Sequence, residues 1–303
     1  MVTPQKPQTP APAPVRGNPV KNPDGTTTWT NPGGQKVVLR GDILARYEAQ
    51  GSSGGTLGLP VTGEVAIPGG AFTHFENGSV YWSPAGGAHV VAGATRDAWA
   101  KAGWERGVGF PTGEAFAVKS SSGTPGTVQR FAGGLVYASA GQGHVVKGAI
   151  EGRYATLGWE GSRLGLPVTS EFGVRGGAAS HFQGGSVYWS PATGAQPVWG
   201  AFRDLFAGQG WENGALGFPR SGEIPLAGGA VVQQYQGGEL YWSAATGAHS
   251  VRGAFRATYA AGGFERGLGL PTTEEIPTAT GVIQRFERGT LAWDRASGRV
   301  TRS

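Results

Sequence analysis

Five stretches of the chain share one spacing of apolar positions. Each begins at a Gly, carries two apolar or β-branched residues four positions apart, and reaches another Gly four positions after the second. The pairs are Ile43/Tyr47, Thr95/Trp99, Ile150/Tyr154, Phe202/Phe206 and Phe255/Tyr259. Residues four apart lie on one face of a helix, and a Gly in the left-handed conformation commonly ends one. The pattern predicts five short helices of two to three turns, each ending near its second Gly.

After each predicted helix the pattern changes to alternation with Gly-rich turns, which is typical of antiparallel hairpins. The central strand alternates an apolar pair with a Tyr between polar residues. The apolar pairs are Val80/Trp82, Val136/Ala138, Val187/Trp189, Leu240/Trp242 and Leu291/Trp293. Because neighbouring side chains in a strand point to opposite faces, we expect these pairs in the core. We expect the Tyr face to be partly exposed or to line a gap between units.

A Leu-Gly-x-Pro signature marks the turn between helix and strands, and it recurs with Gly at 58, 109, 165, 217 and 269. A period near 50 residues indicates a repeat architecture in which one supersecondary unit is copied. We number the repeats 1 (41–92), 2 (93–147), 3 (148–199), 4 (200–252) and 5 (253–303). Residues 1–25 contain seven Pro and are interpreted as an extended linker.

A further predicted hairpin, 26–40, resembles the end of a repeat, with Trp29 in the place of Trp82. It would cap an exposed sheet edge or pair with repeat 5 to close a ring. The fold class expected is therefore a mostly β, α+β repeat protein, with five units of about 52 residues in a closed, five-bladed, propeller-like ring. An open, curved solenoid is the alternative.

Charge and composition exclude several classes of protein. The chain has 303 residues, a formal charge of +5 and no Cys, and residues 1–40 hold five of the basic residues against one acid. The rest carries 20 basic and 19 acidic residues, too balanced for nucleic-acid binding. No run of 18 apolar residues would span a membrane. The absence of Cys rules out a disulfide framework and fits an exported protein without a signal peptide in this chain, a mature form or a fragment.

The sequences LGLP, VGFP, LGLP, LGFP and LGLP, the GW before most of them and the YWS hairpin after them resemble the LGFP repeat family over residues 41–303. That resemblance implies a cell-envelope module of mycolic-acid-containing actinobacteria, appended to enzymes such as mycoloyltransferases and peptidoglycan amidases. It implies wall polysaccharide, arabinogalactan or peptidoglycan, as the ligand. Repeat 2 departs from the pattern, since Glu114 comes one residue early and Ala138 replaces the usual Trp.

One carboxylate recurs after each signature: Glu64, Glu114, Glu171, Glu223 and Glu275. Each Glu could cap backbone N–H groups of its own turn, or it could hydrogen-bond a sugar. Glycoside hydrolysis needs two carboxylates close together, whereas copies one repeat apart should lie too far from each other.

Aromatic and polar residues of the strands are further ligand-binding candidates. The Tyr rings could stack on sugars or pack against the helix of the next unit; they are Tyr81, Tyr137, Tyr188 and Tyr241. Variable polar residues beside a recurring aromatic could select the ligand or could lie on a solvated strand face: His74, His181, Arg130 and Arg285. The five His form no closely spaced pair, so no metal site is expected.

Polar residues in fives suit multivalent binding better than one asymmetric catalytic site. The sequence therefore predicts an extracellular, non-catalytic module that binds wall carbohydrate through clefts between units. We expect it to be a monomer without cofactors, with a tethered catalytic domain as a possible partner. The alternatives are a wall-polysaccharide hydrolase with one diverged unit, and a protein-interaction or adhesion ring.

Overall fold

The computed structural model describes residues 16–303; the first fifteen residues of the predicted linker lie outside the described residues. The helices are α1 (Gly41–Ala49), α2 (Gly93–Lys101), α3 (Glu105–Val108), α4 (Gly148–Leu157), α5 (Gly200–Gly208), α6 (Gly253–Ala261) and α7 (Glu265–Leu268). Single 3₁₀ turns cover Ser52–Gly54, Trp159–Gly161, Trp211–Asn213 and Ala227–Gly229.

The strands of the first half are β1 (Val20–Lys21), β2 (Thr27–Thr30), β3 (Lys36–Leu39), β4 (Val65–Ile67), β5 (Gly70–Phe75), β6 (Gly78–Ser83), β7 (Gly87–Ala92), β8 (Phe116–Lys119), β9 (Pro125–Phe131), β10 (Gly134–Ser139) and β11 (Gln142–Val146). Those of the second half are β12 (Phe172–Val174), β13 (Gly177–Phe182), β14 (Gly185–Ser190), β15 (Gly194–Trp199), β16 (Ile224–Pro225), β17 (Val231–Gln234), β18 (Gly238–Ser243), β19 (Gly247–Arg252), β20 (Ile276–Pro277), β21 (Gly281–Phe286), β22 (Gly289–Asp294) and β23 (Val300–Arg302). The described chain divides into two compact units, one of residues 16–119 and 125–145 and the other of 120–124 and 146–303.

The five predicted helices are confirmed, as is the position where each ends. The Gly four residues after the second apolar position has a positive φ in every repeat, between +85° and +98°. Only Gly adopts this conformation without a Cβ clash, so the helix stops there and the chain turns toward the sheet.

The predicted closed propeller-like ring is wrong. The described strands form six separate antiparallel sheets: one of three strands, β1-β2-β3, and five of four strands, one in each repeat. Each sheet follows chain order and is open at both sides, and β1, β2 and β3 pair with one another. The apolar residues of each sheet are buried by the packing of helices on sheets, so closure of a ring is not required for their burial.

Within each compact unit, a helix lies between the sheet that precedes it and the sheet of its own repeat. In the first unit, Ile43 and Tyr47 of α1 pack with Leu39 of β3 on one side and with Phe75 and Val80 of repeat 1 on the other. In the second unit, α5 packs in the same way between the sheets of repeats 3 and 4. The hydrophobic core of a repeat is therefore built partly by its predecessor.

The hairpin predicted at 26–40 is present as β2 and β3, but Trp29 does not take the place of Trp82. Thr27 pairs with Leu39, the last residue but one before α1, whereas Ser79 pairs with Val91 at the same point before α2. Counting from these pairs, Trp29 corresponds to Tyr81. A register shift of one residue moves a side chain to the opposite face of a sheet. Trp29 accordingly packs edge-on against Tyr47, as Tyr81 does against Trp99.

Candidate functional site

The Leu-Gly-x-Pro turn is built around the backbone of its Gly. In all five repeats this Gly has a positive φ, from +64° to +80°. In four repeats its carbonyl oxygen accepts a hydrogen bond from the aromatic side chain at the second position of the helix pair, for example from Tyr47 Oη to Gly58 at 2.6 Å. The other three bonds join Trp99 to Gly109, Tyr154 to Gly165 and Tyr259 to Gly269. The repeated signature therefore fixes the helix to the sheet.

A second side chain that the sequence reasoning missed also holds this turn. Glu76 Oε2 accepts a hydrogen bond of 2.8 Å from the N–H of Leu59, the residue after Gly58. Equivalent bonds join Gln183 to Leu166, Gln236 to Phe218 and Glu287 to Leu270. The signal was a Glu or Gln directly after the recurring aromatic residue. In repeats 1, 3 and 5 the turn is thus held both by the helix and by the residue after the recurring aromatic.

Three repeats carry the same cavity where the chain enters the helix; we call it the indole groove. In repeat 1 it is bounded by Trp82, Glu64, Arg40 and the first residues of α1, and its volume is about 320 Å³. Arg40 Nε donates a hydrogen bond of 3.2 Å to Glu64 Oε1. The groove thus combines the indole ring of Trp82 with the ion pair of Arg40 and Glu64.

The indole groove of repeat 5 is the largest of the three, at about 390 Å³. Trp293, Glu275 and Arg252 take the places of Trp82, Glu64 and Arg40, and Arg252 Nε donates to Glu275 Oε1 at 3.2 Å. Because Arg252 belongs to repeat 4 and the other two residues to repeat 5, the groove lies at the junction of two repeats.

The groove of repeat 4 keeps the same chemistry with a different cation. Its cavity of about 260 Å³ is lined by Trp242 and Glu223, and the residue directly before α5 is Trp199 instead of Arg. Arg163 of the preceding repeat supplies the guanidinium, 3.3 Å from Glu223 Oε2 and 5.2 Å above the Trp199 ring. The pairing of an arginine with a carboxylate beside an indole is therefore retained although its residues differ.

The structure reverses the expected exposure of the two aromatic sets. Tyr81, Tyr137, Tyr188 and Tyr241 are each only 3% exposed, so their rings have no face open to a ligand. In the contacts within each compact unit, Tyr81 packs edge-on against Trp99 and Tyr188 against Phe206 of the following helix. The indoles, which we expected in the core, are half-buried and line the grooves; they are Trp82, Trp242 and Trp293.

The recurring carboxylates divide into two groups. Glu64, Glu223 and Glu275 line grooves, and Glu171 has the same position four residues after the signature Pro. Burial raises the pKa of the Glu171 carboxyl above its ordinary value, and the charge of Lys147, directly before α4, acts in the opposite direction.

Glu114, one residue nearer its Pro, lies elsewhere. Its carboxylate is 2.7 Å from Arg46 Nη2 and 3.0 Å from His89 Nδ1. Glu274 of repeat 5 has the same position after its Pro and accepts a hydrogen bond of 2.7 Å from the N–H of Ser250. Glu114 and Glu274 therefore connect neighbouring repeats.

Repeat 2 has alanine at all three positions that form the groove elsewhere. Ala92 precedes its helix, Ala115 follows its signature Pro by four, and Ala138 replaces the indole. The two departures seen in the sequence of repeat 2 thus affect one and the same site.

The remaining candidates lie outside the grooves. His74 is half-buried, with its Nδ1 2.8 Å from Ser79 Oγ, to which Arg96 Nε also donates. Burial lowers the pKa of His74, and the charge of Arg96 lowers it further. His181 repeats this arrangement with Ser186 and Arg203. Arg130 and Arg285 are exposed on strands β9 and β21.

In the part of the chain that the structure describes, no three His, Asp or Glu side chains are grouped as a metal site would require. The helices of residues 16–303 are too short and too polar to cross a membrane.

Comparison with known families accounts for the repeats. The family model described as "LGFP repeat" matches residues 57–107, 108–162, 164–214, 216–267 and 268–301, most of the chain. The protein belongs to the LGFP repeat family. The resemblance seen in the sequence is thereby confirmed, and each match begins at or close to a signature turn.

A search of curated proteins finds no match to the chain. Among solved structures, it is similar to the extracellular domain of BT4673 from B. thetaiotaomicron, described as a one component system, with 10% identity, a TM-score of 0.15 and coverage of 94% of this chain and 36% of that one. The extracellular domain of BT3049 from B. thetaiotaomicron, described as a hybrid two component system, gives 11% identity, a TM-score of 0.16 and coverage of 96% and 34%. The chain spans about a third of these proteins, and such low TM-scores carry no argument about the LGFP repeats.

Proposed function

We propose that this LGFP repeat protein is a non-catalytic, multivalent carbohydrate-binding module that attaches to the cell wall through its indole grooves. The observation that carries the proposal is the recurrence of one groove, with an indole beside an Arg–Glu pair, in repeats 1, 4 and 5. The ligand is a wall polysaccharide, arabinogalactan or the glycan of peptidoglycan.

The groove has the chemistry that sugar binding requires. The apolar C–H face of a sugar ring packs on an aromatic plane, and the half-buried indole offers one. Guanidinium and carboxylate groups donate to and accept from hydroxyl groups, and charged partners strengthen such bonds. Cavities of about 260 to 390 Å³ are near the lower end of small-molecule sites, which suits a short segment of a polymer.

Repetition compensates for the weakness of each groove. A small, open site gives modest affinity, but several sites on one chain can engage the same polymer. The second contact then benefits from the effective concentration set by the first, provided that the geometry allows both. Wall attachment of this kind places the protein outside the cell, as an anchor for any enzyme joined to it.

The number of carboxylates supports binding without hydrolysis. The grooves of repeats 4 and 5 are each lined by one carboxylate, Glu223 or Glu275, which is already paired with Arg. Hydrolysis needs a second carboxylate as nucleophile or base. The groove of repeat 1 contains Asp42 as well as Glu64, but Asp42 accepts a hydrogen bond from Trp82 and Glu64 pairs with Arg40.

The proposal is tested by sedimentation of the protein with insoluble arabinogalactan or peptidoglycan. We expect the wild-type protein to sediment with one polymer and the Trp242→Ala/Trp293→Ala variant to remain mostly in solution. Phe116→Ala is the matched control, because Phe116 is an exposed aromatic residue of repeat 2 outside the grooves.

Failure of the wild-type protein to sediment with either polymer would refute wall binding. Equal sedimentation of the indole variant and the control would refute the grooves as the sites. Release of reducing ends from the polymer, abolished by Glu64→Gln, would instead establish the hydrolase.

A further inference from the structure

The grooves differ at one position, the second residue of the helix. Repeat 1 has Asp42 there, and its Oδ2 accepts a hydrogen bond of 2.6 Å from Trp82 Nε1. Both residues line the cavity, and this is the one hydrogen bond of the Asp42 side chain among the described residues. The carboxylate of Asp42 therefore occupies part of the groove of repeat 1, against the indole.

The grooves of repeats 4 and 5 have the same indole without the carboxylate. Ala201 and Ala254 stand where repeat 1 has Asp42, and both line their cavities. Neither Trp242 Nε1 nor Trp293 Nε1 donates to any protein acceptor within residues 16–303. In each of these two grooves the indole that lines the cavity therefore has an N–H without a protein acceptor, and Ala takes the place of the Asp that accepts this hydrogen bond in repeat 1.

The charges of the grooves are consistent with an anionic occupant. In repeat 5, Arg252 and Glu275 form a pair with no net charge. In repeat 1, Arg40, Glu64 and Asp42 together carry one negative charge within the folded protein. A ligand carboxylate in the groove of repeat 5 would reproduce the charge that repeat 1 already accommodates.

We propose, resting on the carbohydrate-binding function above, that the grooves of repeats 4 and 5 bind sugars that carry a carboxylate. The ligand carboxylate takes the place that Asp42 has in repeat 1 and accepts a charge-assisted hydrogen bond from the indole N–H. The sugar ring lies against the indole, beside the Arg–Glu pair. In the groove of repeat 1 the carboxylate of Asp42 already holds this position beside the indole N–H and repels such a ligand.

The test follows the indole N–H resonances of the full-length, ¹⁵N-labelled protein during titration with methyl glucuronide. Methyl glucoside is the matched probe, because it has a hydroxymethyl group in place of the carboxylate. Trp82→Phe, Trp242→Phe and Trp293→Phe assign the three resonances. We expect the Trp242 and Trp293 signals to shift with glucuronide at an affinity at least about tenfold higher than with glucoside, as the loss of a charged hydrogen bond requires. The Trp82 signal should not shift with glucuronide.

Two exchanges of a single residue test the role of Asp42. Ala254→Asp should fill the groove of repeat 5 and abolish the response of Trp293, while the response of Trp242 persists as an internal control. Asp42→Ala should open the groove of repeat 1 and give Trp82 a response to glucuronide. Unchanged resonances of the remaining indoles show that each variant is folded.

Three results would overturn the inference: equal responses to glucuronide and glucoside, a response of Trp82 in the wild-type protein equal to that of Trp293, or no response of Trp242 and Trp293. Each is distinguishable from failure of the proposed function, because wall binding is measured separately by sedimentation. A protein that sediments with polymer but does not discriminate between the two glycosides binds neutral sugars.

Discussion

Repeats 2 and 5 share one scaffold. Each consists of a helix that begins at a Gly, a signature turn and a four-stranded antiparallel sheet. In both, the buried aromatic of the helix donates to the carbonyl of the signature Gly, from Trp99 at 3.2 Å and from Tyr259 at 2.7 Å. The helix and the signature turn are therefore joined by the same hydrogen bond in both repeats.

The two repeats differ in the groove. The groove of repeat 5 is formed by Arg252, Glu275 and Trp293, whereas alanines occupy the three equivalent positions around repeat 2. Because none of these three positions takes part in the signature turn, a repeat can lose its groove and keep its fold. The scaffold and the groove residues are thus separable within one repeat of about 50 residues.

The largest effect is expected from removal of the shared scaffold aromatic. Trp99→Ala and Tyr259→Ala each remove a fully buried ring and should lower the free energy of unfolding by about 3 to 5 kcal/mol. Denaturant unfolding of both variants measures the loss. Tyr259→Phe is the control, since it removes the hydrogen bond alone and should cost about 1 kcal/mol. A large loss in one repeat and a negligible loss in the other would contradict the shared scaffold.

An intermediate effect is expected when the groove is built into repeat 2. The triple variant Ala92→Arg/Ala115→Glu/Ala138→Trp should raise polymer affinity in sedimentation about two- to tenfold, because an added aromatic contact contributes about 0.5 to 1.5 kcal/mol. Ala92→Arg alone is the control for non-specific charge. No gain by the triple variant over this control would show that the groove needs more than these three side chains.

The smallest effect is expected from Glu114→Gln. Its ion pair with Arg46 is partly exposed, and such pairs contribute about 1 kcal/mol or less. Thermal unfolding should change little and sedimentation with polymer not at all. Glu275→Gln is the matched change in repeat 5 and should weaken sedimentation. Equal losses of binding in the two variants would refute the division of the carboxylates into groove and connecting groups.

Local features of the fold were predictable because their causes are local. Apolar residues four apart followed by Gly predicted the helices and their ends, as the positive φ of Gly51 and Gly158 shows. Alternation between Gly turns predicted the hairpins, and the 50-residue period predicted the copies that the family match covers. The carboxylates of three grooves were among the predicted site residues as well.

Features that depend on the neighbouring repeat were not predictable in this way. Alternation shows that the two faces of a strand differ, but not which face another element covers. The following helix covers the small, polar face that carries Tyr81 and buries Ser79 completely, while Trp82 is left at the groove. The indoles were therefore assigned to the core and the Tyr face to partial exposure, the reverse of the burial that the structure shows.

The sequence by itself determined the repeat, its helix, its turn and the loss of the groove residues in repeat 2, because each depends on residues close together in the chain. The tertiary structure alone decided that the sheets stay open, that Trp29 corresponds to Tyr81, and that an indole, a carboxylate and an arginine meet in one cavity. In repeat 4 that arginine is Arg163, 60 residues from Glu223. Such a contact arises from the packing of one repeat on the next, which residue spacing within a repeat does not encode.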